Sequence, residues 1–383
     1  MDESHFREIS KQVMALADGT AVEVLLAAQQ EGLARFGNNI VTQHVEAGNA
    51  EAVIRVQKGK RQGRASCNQF DRATLERTVK KAVQIALVQP EDPTLLSFPE
   101  PQAYQPLSHS VPATRTVTPD EKVDRIRRAV ALCKKKKTTA AGIFSHGMQA
   151  VGLANSNGLF AYNGYTSASF SVTVMAQDSS GWAELTHPNI HAVHPEELTA
   201  VALEKALAGR RPKTLPPGEY DVILEPAAVA ELLLFMAWDG FGALPYLESR
   251  SFVSGKLGQK ILSEKVMIMD DVYNHQTLGL NFDYEGMPRR RVVLVDRGVA
   301  KAVVHDRRTA KTAGTESTGH ALPLPNTNGP MPLNLMLAGG DSSVNEMIAG
   351  TDRGLLITHF HYTNILEPMT LMITGMTRDG VFL

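Results

Sequence analysis

Ser167-Ala-Ser-Phe-Ser-Val-Thr-Val174 alternates small polar side chains with apolar ones along its whole length. Successive side chains of an extended chain point to opposite faces, so Ala168, Phe170, Val172 and Val174 make an apolar face and Ser167, Ser169, Ser171 and Thr173 a wet one. A sheet with one wet face is antiparallel and covered on the other side only, and helices packed on that side are the expected cover.

The surrounding sequence supplies both. Asn155-Ser-Asn-Gly158 is a turn signal ahead of the strand at 162–176, and strands resume at Gly142. Upstream, residues 21–29, 32–38, 40–46 and 50–57 read as strands, and Lys58-Gly-Lys60 turns the chain into another at 61–67. Phe6, Ile9, Val13 and Leu16 recur at helical spacing until Ala17-Asp-Gly19. Asp71 can cap a second helix with Leu75, Val79, Ala82, Val83 and Ala86 on one face, ended by Pro90. Thr118-Pro119-Asp-Glu121 combines a cap, a proline at the first helical position and acids favoured by the dipole, and Val123, Ile126 and Val130 give that helix its buried face. Lys134, Lys135, Lys136 and Lys137 follow at its C-terminus, where the dipole stabilises a cation by about 0.3–1 kcal/mol, so they read as a solvated helix end and not as a nucleic-acid patch. Residues 90–119 carry seven prolines and few apolar clusters, and are expected to cross the surface in extended form.

A helix opens at Pro195-Glu-Glu197, and Arg211-Pro-Lys-Thr-Leu-Pro-Pro-Gly218 marks a domain boundary. Residues 292–295, 297–304, 355–361 and 371–373 are apolar, β-branched or alternating. The expected fold class is therefore α+β. An N-terminal domain over 1–215 holds an antiparallel sheet with packed helices, and a C-terminal domain over 216–383 is mainly antiparallel β and barrel-like. A length of 383 residues suits two domains. The 43% hydrophobic and 21% charged content is that of a soluble globular chain. Lys plus Arg number 39 against 40 Asp plus Glu, which leaves no global positive field to gather nucleic acid or an anionic membrane. Cys67 and Cys133 have no CxxC partner, as in a reducing compartment. Met1-Asp-Glu-Ser-His puts acids where a secretory signal is basic, and the apolar run from Leu232 to Trp238 is far short of the about 20 residues a bilayer needs. A cytoplasmic location follows, with no direct nucleic acid and no membrane as partner.

Few residues carry recognisable chemistry. His187-Pro-Asn-Ile-His191-Ala-Val-His194 offers three imidazoles that a helix would place on one face, but Pro188 and Pro195 favour a loop. A polar loop and a metal site are both open readings. Arg307 and Arg308, in His305-Asp-Arg-Arg308, could pair with carboxylates, and Thr318-Gly319 could bring backbone close to a ligand. His359 and His361 share one face of a strand, next to Tyr362. Glu285-Gly-Met-Pro288 followed by Arg289-Arg-Arg291 reads as a turn with a basic rim. There is no Gly-x-Ser-x-Gly elbow, P-loop or dinucleotide fingerprint.

Phe282-Asp-Tyr-Glu-Gly-Met-Pro288, Ser317-Thr-Gly-His320, Thr351-Asp-Arg-Gly354 and Gly375-Met-Thr-Arg-Asp-Gly380, with Ser254-Gly-Lys-Leu-Gly258 and Asp270-Asp271, resemble the TldD/PmbA family, once described as modulators of DNA gyrase. The resemblance implies pairing of a zinc-bearing TldD-type subunit with a zinc-less TldE/PmbA-type one. In the TldD type a His-Glu-x-x-x-His helix holds the metal. The ungapped match here puts Leu234, Phe235 and Asp239 at those positions, with no imidazole to bind zinc and no glutamate to activate water. Bottom-up, the helix at 227–238 is a buried one packed on the sheet through Val229, Leu232, Leu233 and Met236, and ended by Trp238-Asp-Gly240. By resemblance, His305, Arg307, Arg308, Thr318, Gly319, His320, His359, His361 and Tyr362 lie around a peptide-binding cleft. Family members usually continue through further strands beyond Leu383, and the TldD type draws a third ligand, a cysteine, from that region, so either the sequence is cut short or a partner completes the sheet. The expectation is a TldE/PmbA-like, non-catalytic subunit of a heterodimeric zinc metallopeptidase acting on unfolded or extended peptides. It would hold no cofactor of its own, zinc residing in the TldD-type partner, and alone it could form a homodimer. Two rivals are a self-sufficient metal-dependent hydrolase using His187, His191 and His194, and a non-proteolytic regulator linked to DNA gyrase or its inhibitors.

Overall fold

The computed structural model describes residues 1–382. Helix α1 (Glu3–Leu16) is followed by β1 (Ala21–Gly37), β2 (Ile40–Lys58), β3 (Arg61–Cys67) and α2 (Arg72–Val88). After an irregular stretch come α3 (Pro112–Arg115), α4 (Pro119–Lys135), β4 (Thr139–Asn155), β5 (Phe160–Met175), β6 (Ser180–His187) and α5 (Pro195–Ala208). The caps read from sequence are in place: Asp71 accepts from Thr74 N at 3.0 Å and Thr118 from Glu121 N at 3.2 Å.

The six strands form one antiparallel sheet in the order β3-β2-β1-β4-β5-β6. Ala168, Phe170, Val172 and Val174 are fully buried and the intervening serines are not, so the alternation that fixed the fold class holds. Strands β1 and β2 run unbroken where the sequence suggested pairs of shorter strands. The misleading signal at Gly32 is a close approach and not a break. A Cβ there would stand 2.3 Å from the Glu46 carboxylate and 2.4 Å from the His146 ring.

Two similar units make up the sheet. One is α1-β1-β2-β3-α2 and the other α4-β4-β5-β6-α5. Both ends of β1 and β4 are displaced by 118 positions (21 to 139, 37 to 155), and Gly63 of β3 and Gly181 of β6 stand 118 apart as well. The units meet along β1 and β4, with Gln30 facing Met148, its own equivalent, on a local two-fold axis. Each outer strand packs its glycine on a pair of alanines one helical turn apart. A Cβ at Gly63 would meet Ala82 O at 2.0 Å and Ala86 N at 2.4 Å, and one at Gly181 would meet Ala202 O at 2.2 Å and Ala206 N at 2.5 Å. The helices therefore lie with backbone nearly touching the edge strands, a distance only glycine permits.

Residues 90–111 are irregular, as the prolines imply, but they are pinned down. Phe98 is buried, Pro99 O accepts from Asn155 Nδ2 at 2.9 Å, and the Tyr104 hydroxyl donates to Gly286 O at 2.8 Å. Further on, His109 pairs with Tyr165 along the outer edge of β5.

Beyond Pro195–Ala208 follow β7 (Asp221–Leu224), α6 (Pro226–Asp239), α7 (Ala243–Leu247), β8 (Ile268–Asp270), β9 (Val292–Asp296), β10 (Val299–Ala300), α8 (Arg307–Ala313), β11 (Leu335–Leu337), α9 (Val344–Ala349), β12 (Gly354–Glu367) and β13 (Met372–Phe382). The α+β class stands, but the expected barrel does not form. These strands make a four-stranded sheet, β10-β9-β8-β11, and a three-stranded one, β13-β12-β7, in which β7 runs parallel to β12. Strands of two to five residues, as β8 to β11 are, cannot tilt and stagger into a closed wall.

Gly63→Ala and Gly181→Ala are each expected to lower stability by about 1–3 kcal/mol, because the methyl group overlaps helix backbone that cannot move alone. Gly37→Ala, with open space at its Cβ, is expected to change it by less than about 0.5 kcal/mol. Urea unfolding of the three variants checks both halves of this expectation.

Candidate functional site

Pro226 occupies the first turn of α6 and Gly240 follows its last residue, where a Cβ would strike the Phe252 ring at 2.0 Å. Ala228, Leu233, Met236 and Ala237 are buried, while Val229 and Leu232 are only partly covered. The helix is thus less buried than its composition suggested. Leu234 is 48% and Trp238 53% exposed, one turn apart on the same side.

Helix α6 packs on β12, and Thr363 of that strand donates its hydroxyl to Glu231. The hairpin of β12 and β13 also leaves Tyr362, Leu366, Met372 and Met376 exposed, Tyr362 at 72%. Its base is fastened to the large sheet. Ser180 Oγ donates to Asp379 Oδ1 at 2.7 Å, His359 Nε2 donates to Asp379 Oδ2 at 3.2 Å, and the His359 ring stacks on Trp182 at 4.3 Å. Burial pushes the Asp379 carboxyl up, but these donors and the nearby Arg378 outweigh it and hold it below the usual range. His361 lies 3.0 Å from Arg378 and beside Tyr362. Ser180, His359 and Asp379 do not form a nucleophilic relay, since the serine bonds to the carboxylate and not to the imidazole.

A second group is internal. His320 is fully buried, and its Nε2 must donate to the acceptor-only carboxylate of Asp270 at 2.9 Å while Nδ1 meets Thr318 Oγ1 at 2.9 Å. Asp270 also accepts from Asn334 N at 2.6 Å and lies 3.7 Å from Arg289. Burial raises this carboxyl, yet the His320 hydrogen bond and the adjacent charges leave it below its ordinary value. His305 joins through its backbone, its N donating to Thr318 Oγ1 at 2.7 Å, and burial lowers its imidazole pKa. The close approach made by Gly319 is to Pro288 O, 2.2 Å from a Cβ, and so to the chain itself. Arg289 is buried; only Arg290 and Arg291 form the exposed rim expected of all three.

Beside this knot sit two carboxylates that sequence reasoning quoted only as part of a motif. Asp283 is buried and accepts backbone N–H groups of Glu285, Met287 and Ala321, each at 2.9 Å. Glu285 accepts from Arg307 N at 2.9 Å, and burial, with the charge of Asp283, raises its pKa to about 8. Arg307 also donates to Ser97 O at 2.8 Å, tying this region to the irregular stretch, while Arg308 is exposed. An Asp with an amide-rich turn after it is a legible signal; the burial of Glu285 depends on the long-range packing and is not.

The structure therefore divides the nine expected cleft residues. His305, Thr318, Gly319 and His320 form the inner knot with Arg307 beside it, Arg308 is exposed, and His359, His361 and Tyr362 belong to the hairpin. His187, His191 and His194 lie in a loop with a short 3-10 turn at Ile190–Ala192, where His187 Nδ1 accepts from Asn189 N at 3.0 Å and His191 and His194 are exposed. Among the described residues no three His, Cys, Asp or Glu side chains gather as a metal site. On α6 the donor chemistry does not fit zinc either: Leu234 and Phe235 have no donor atom, Glu231 is engaged by Thr363, and Asp239 is a single carboxylate. No helix among the described residues is long and apolar enough to cross a membrane.

Comparison with known proteins gives three consecutive matches: PmbA/TldA metallopeptidase domain 1 over residues 22–86, its central domain over 112–210 and its C-terminal domain over 217–383. The chain is similar to the uncharacterized protein MJ0231 of Methanocaldococcus jannaschii, at 27% identity over 70% of this chain and 62% of that protein, and so spans less than two thirds of it. It is 26% identical to metalloprotease PmbA of Escherichia coli O157:H7, over 92% of this chain and 81% of that one. The crystal structure of TldE from Thermococcus kodakarensis superimposes with a TM-score of 0.84 at 21% identity, covering 94% of this chain and 83% of that one, which shows a shared fold.

His320→Leu is expected to cost about 3 kcal/mol, since it strips the buried Asp270 of its nearest side-chain partner; urea unfolding at neutral pH measures it. Glu285 gives a pH dependence. Its folded value of about 8 lies above the ordinary 4.5, so the folded protein holds a proton that the unfolded chain releases, and stability is full below the ordinary value and falls as pH rises through about 8. Glu285→Gln is expected to reduce that alkaline loss by at least about 1 kcal/mol, read as the difference in unfolding free energy between pH 6 and pH 9.

Proposed function

Because this chain belongs to the PmbA/TldA metallopeptidase family, whose domains match it from residue 22 to residue 383, we propose that it serves as a non-catalytic, TldE/PmbA-like subunit of a cytoplasmic zinc metallopeptidase. A TldD-type partner would supply the zinc and the activated water, and the two chains together would enclose unfolded or extended peptides. The observation that carries this reading is α6. At the positions aligned with the zinc motif it has Leu234 and Phe235, and it turns Leu234 and Trp238 outward beside a hairpin with exposed Tyr362, Leu366, Met372 and Met376. An apolar surface of this kind next to a helix without metal donors suits docking better than hydrolysis.

Substrate capture in this reading uses strand addition to a sheet edge, where main-chain pairing would accept many sequences. His359 and Asp379 brace the hairpin against β6, and the His320 knot stiffens the chain around Asp270 and Asn334. Neither would contribute a proton-transfer step.

Zinc analysis and cleavage of an unstructured protein such as casein test the proposal. The chain alone is expected to hold no stoichiometric zinc and to cleave nothing, while a mixture with a TldD-type protein cleaves. Trp238→Asp and Met376→Asp are each expected to weaken association about tenfold. Zinc-dependent cleavage by the chain alone, or a mixture no more active than the TldD-type protein by itself, overturns it.

A further inference from the structure

The side chain of Lys122 is fully buried, although α4 carries it in its first turn. Its ammonium donates to Glu46 Oε1 of β2 at 3.2 Å and to His146 Nδ1 of β4 at 3.0 Å, and His44 Nε2 stands 3.3 Å from the same Glu46 oxygen. These groups can meet because Gly32 lies between Glu46 and His146 on β1, paired with both, and has no Cβ to keep them apart.

Packing alone does not call for this cluster. In the other unit the equivalent row across the sheet, found by the 118-residue displacement of the strands, has Ala28 for His146, Ala150 for Gly32 and Gly164 for Glu46. The buried faces of the two helices match Phe6, Ile9 and Val13 with Ile126, Ala129 and Cys133, which sets Lys122 against Asp2. Asp2 only caps α1, through the His5 amide at 2.9 Å. An imidazole and a carboxylate therefore stand where alanine and glycine suffice, under a lysine that the other helix lacks.

His146 and Glu46 also line a cleft of about 730 Å3 together with Arg115, Thr118 and Pro119, the residues that lead into α4. With both imidazoles neutral, the cluster balances one ammonium against one carboxylate. Burial, and after it the Lys122 ammonium, holds the His146 ring below its ordinary pKa, against the opposite pull of Glu46 and the Gly32 backbone, while His44 pushes the same way as Lys122. Burial lowers the Lys122 pKa too, with Glu46 opposing. The other charged groups lining the cleft are Arg115 of α3 and Glu31 of β1.

We infer that this cluster is an acid-sensitive latch, in which a proton on His146 Nδ1 takes the acceptor from Lys122 and the first turn of α4 lifts from the sheet, widening the cleft. Once the ring is charged, two cations lie 3.0 Å apart, and Glu46 can balance only one of them. Lys122 is sealed beneath the helix, so its ammonium reaches water only if the helix moves. The movement is local, because Ile126, Ala129 and Cys133 stay buried and Arg125 donates to Ile190 O at 3.2 Å. The sign follows from the lowered pKa of the closed ring. The open form takes up the proton first, so the latch is fully closed above the ordinary value of 6.5 and is lost as pH falls below it.

Amide hydrogen exchange at residues 122–126, each rate divided by that of an unstructured chain at the same pH, tests the latch. Between about pH 7.5 and about pH 5 protection there is expected to fall about tenfold, while the amides of α2, which has no such cluster, keep theirs. His146→Gln retains an acceptor for Lys122 but takes no proton, and is expected to stay protected in acid. Lys122→Met removes the second cation, leaves a charged His146 facing Glu46 alone, and is expected to stay protected as well. His44→Gln, at an exposed position, should leave the acid loss in place. The His146 ring, followed by NMR, is expected to titrate below 6.5. Protection at 122–126 that ignores pH overturns the inference, as does a loss shared equally by α2, a loss that persists in His146→Gln or Lys122→Met, or a His146 midpoint at or above the ordinary value.

Discussion

The antiparallel seam between β1 and β4 is the constraint on which the rest of the molecule depends. Two α-β-β-β-α units have each only half a sheet, and each half buries one face with its own helices: Phe6, Ile9 and Val13 with Leu75 and Val79 on one side, Ile126, Ala129 and Cys133 with Ala202 and Ala206 on the other. Pairing from Glu23 with Asn155 to Phe36 with Gly142 joins them into one sheet and fixes their register. A slip of one residue would turn every buried side chain on either half toward solvent. The seam also carries the rest of the chain, because Val151, Leu153, Leu159 and Ala161 of the second unit pack with Leu280 and Phe282.

Much of this was legible from the sequence. The alternation of 167–174, the caps at Asp71 and Thr118 and the proline at 119 are local signals with local causes, and the structure repeats them. What the sequence obscured was long-range. Gly32 is punctuation when read locally and a clearance for Glu46 and His146 in the fold, so β1 was read as two strands. The barrel failed because alternating apolar segments after residue 240 show where strands can form but not how short irregular turns will leave them. The site divided for the same reason. His320 and His359 are alike as residue types, but one is sealed against Asp270 and the other stacks on Trp182 over 4 Å from ring to ring, and nothing in their neighbouring residues separates them. The donor-free face of α6 was the reverse case: composition settles it, because leucine lacks an electron pair in any conformation.

What the fold offers around its candidate site is consequently surface and rigidity. The polar clusters are inward and extensively hydrogen-bonded, although Arg289 Nε and Nη1 and His305 Nδ1 are buried without a partner, and such networks suit walls that must keep their shape. The groups left outward are apolar on α6 and the hairpin. The role proposed above, in which this chain shapes a chamber for a partner's chemistry, would draw on that division of labour.

The seam also sets a timetable for biosynthesis. β1 cannot find its central neighbour until β4 has been made, 118 residues later, which at about 5–20 residues per second is a wait of roughly 6–24 s. During that interval the first unit stands on the ribosome as a half-sheet with the inner flank of β1 uncovered, a strand rich in valine, leucine and alanine. Contacts so distant along the chain form slowly, and a nascent half-sheet is a natural client for chaperones that shield exposed strands until the second half emerges.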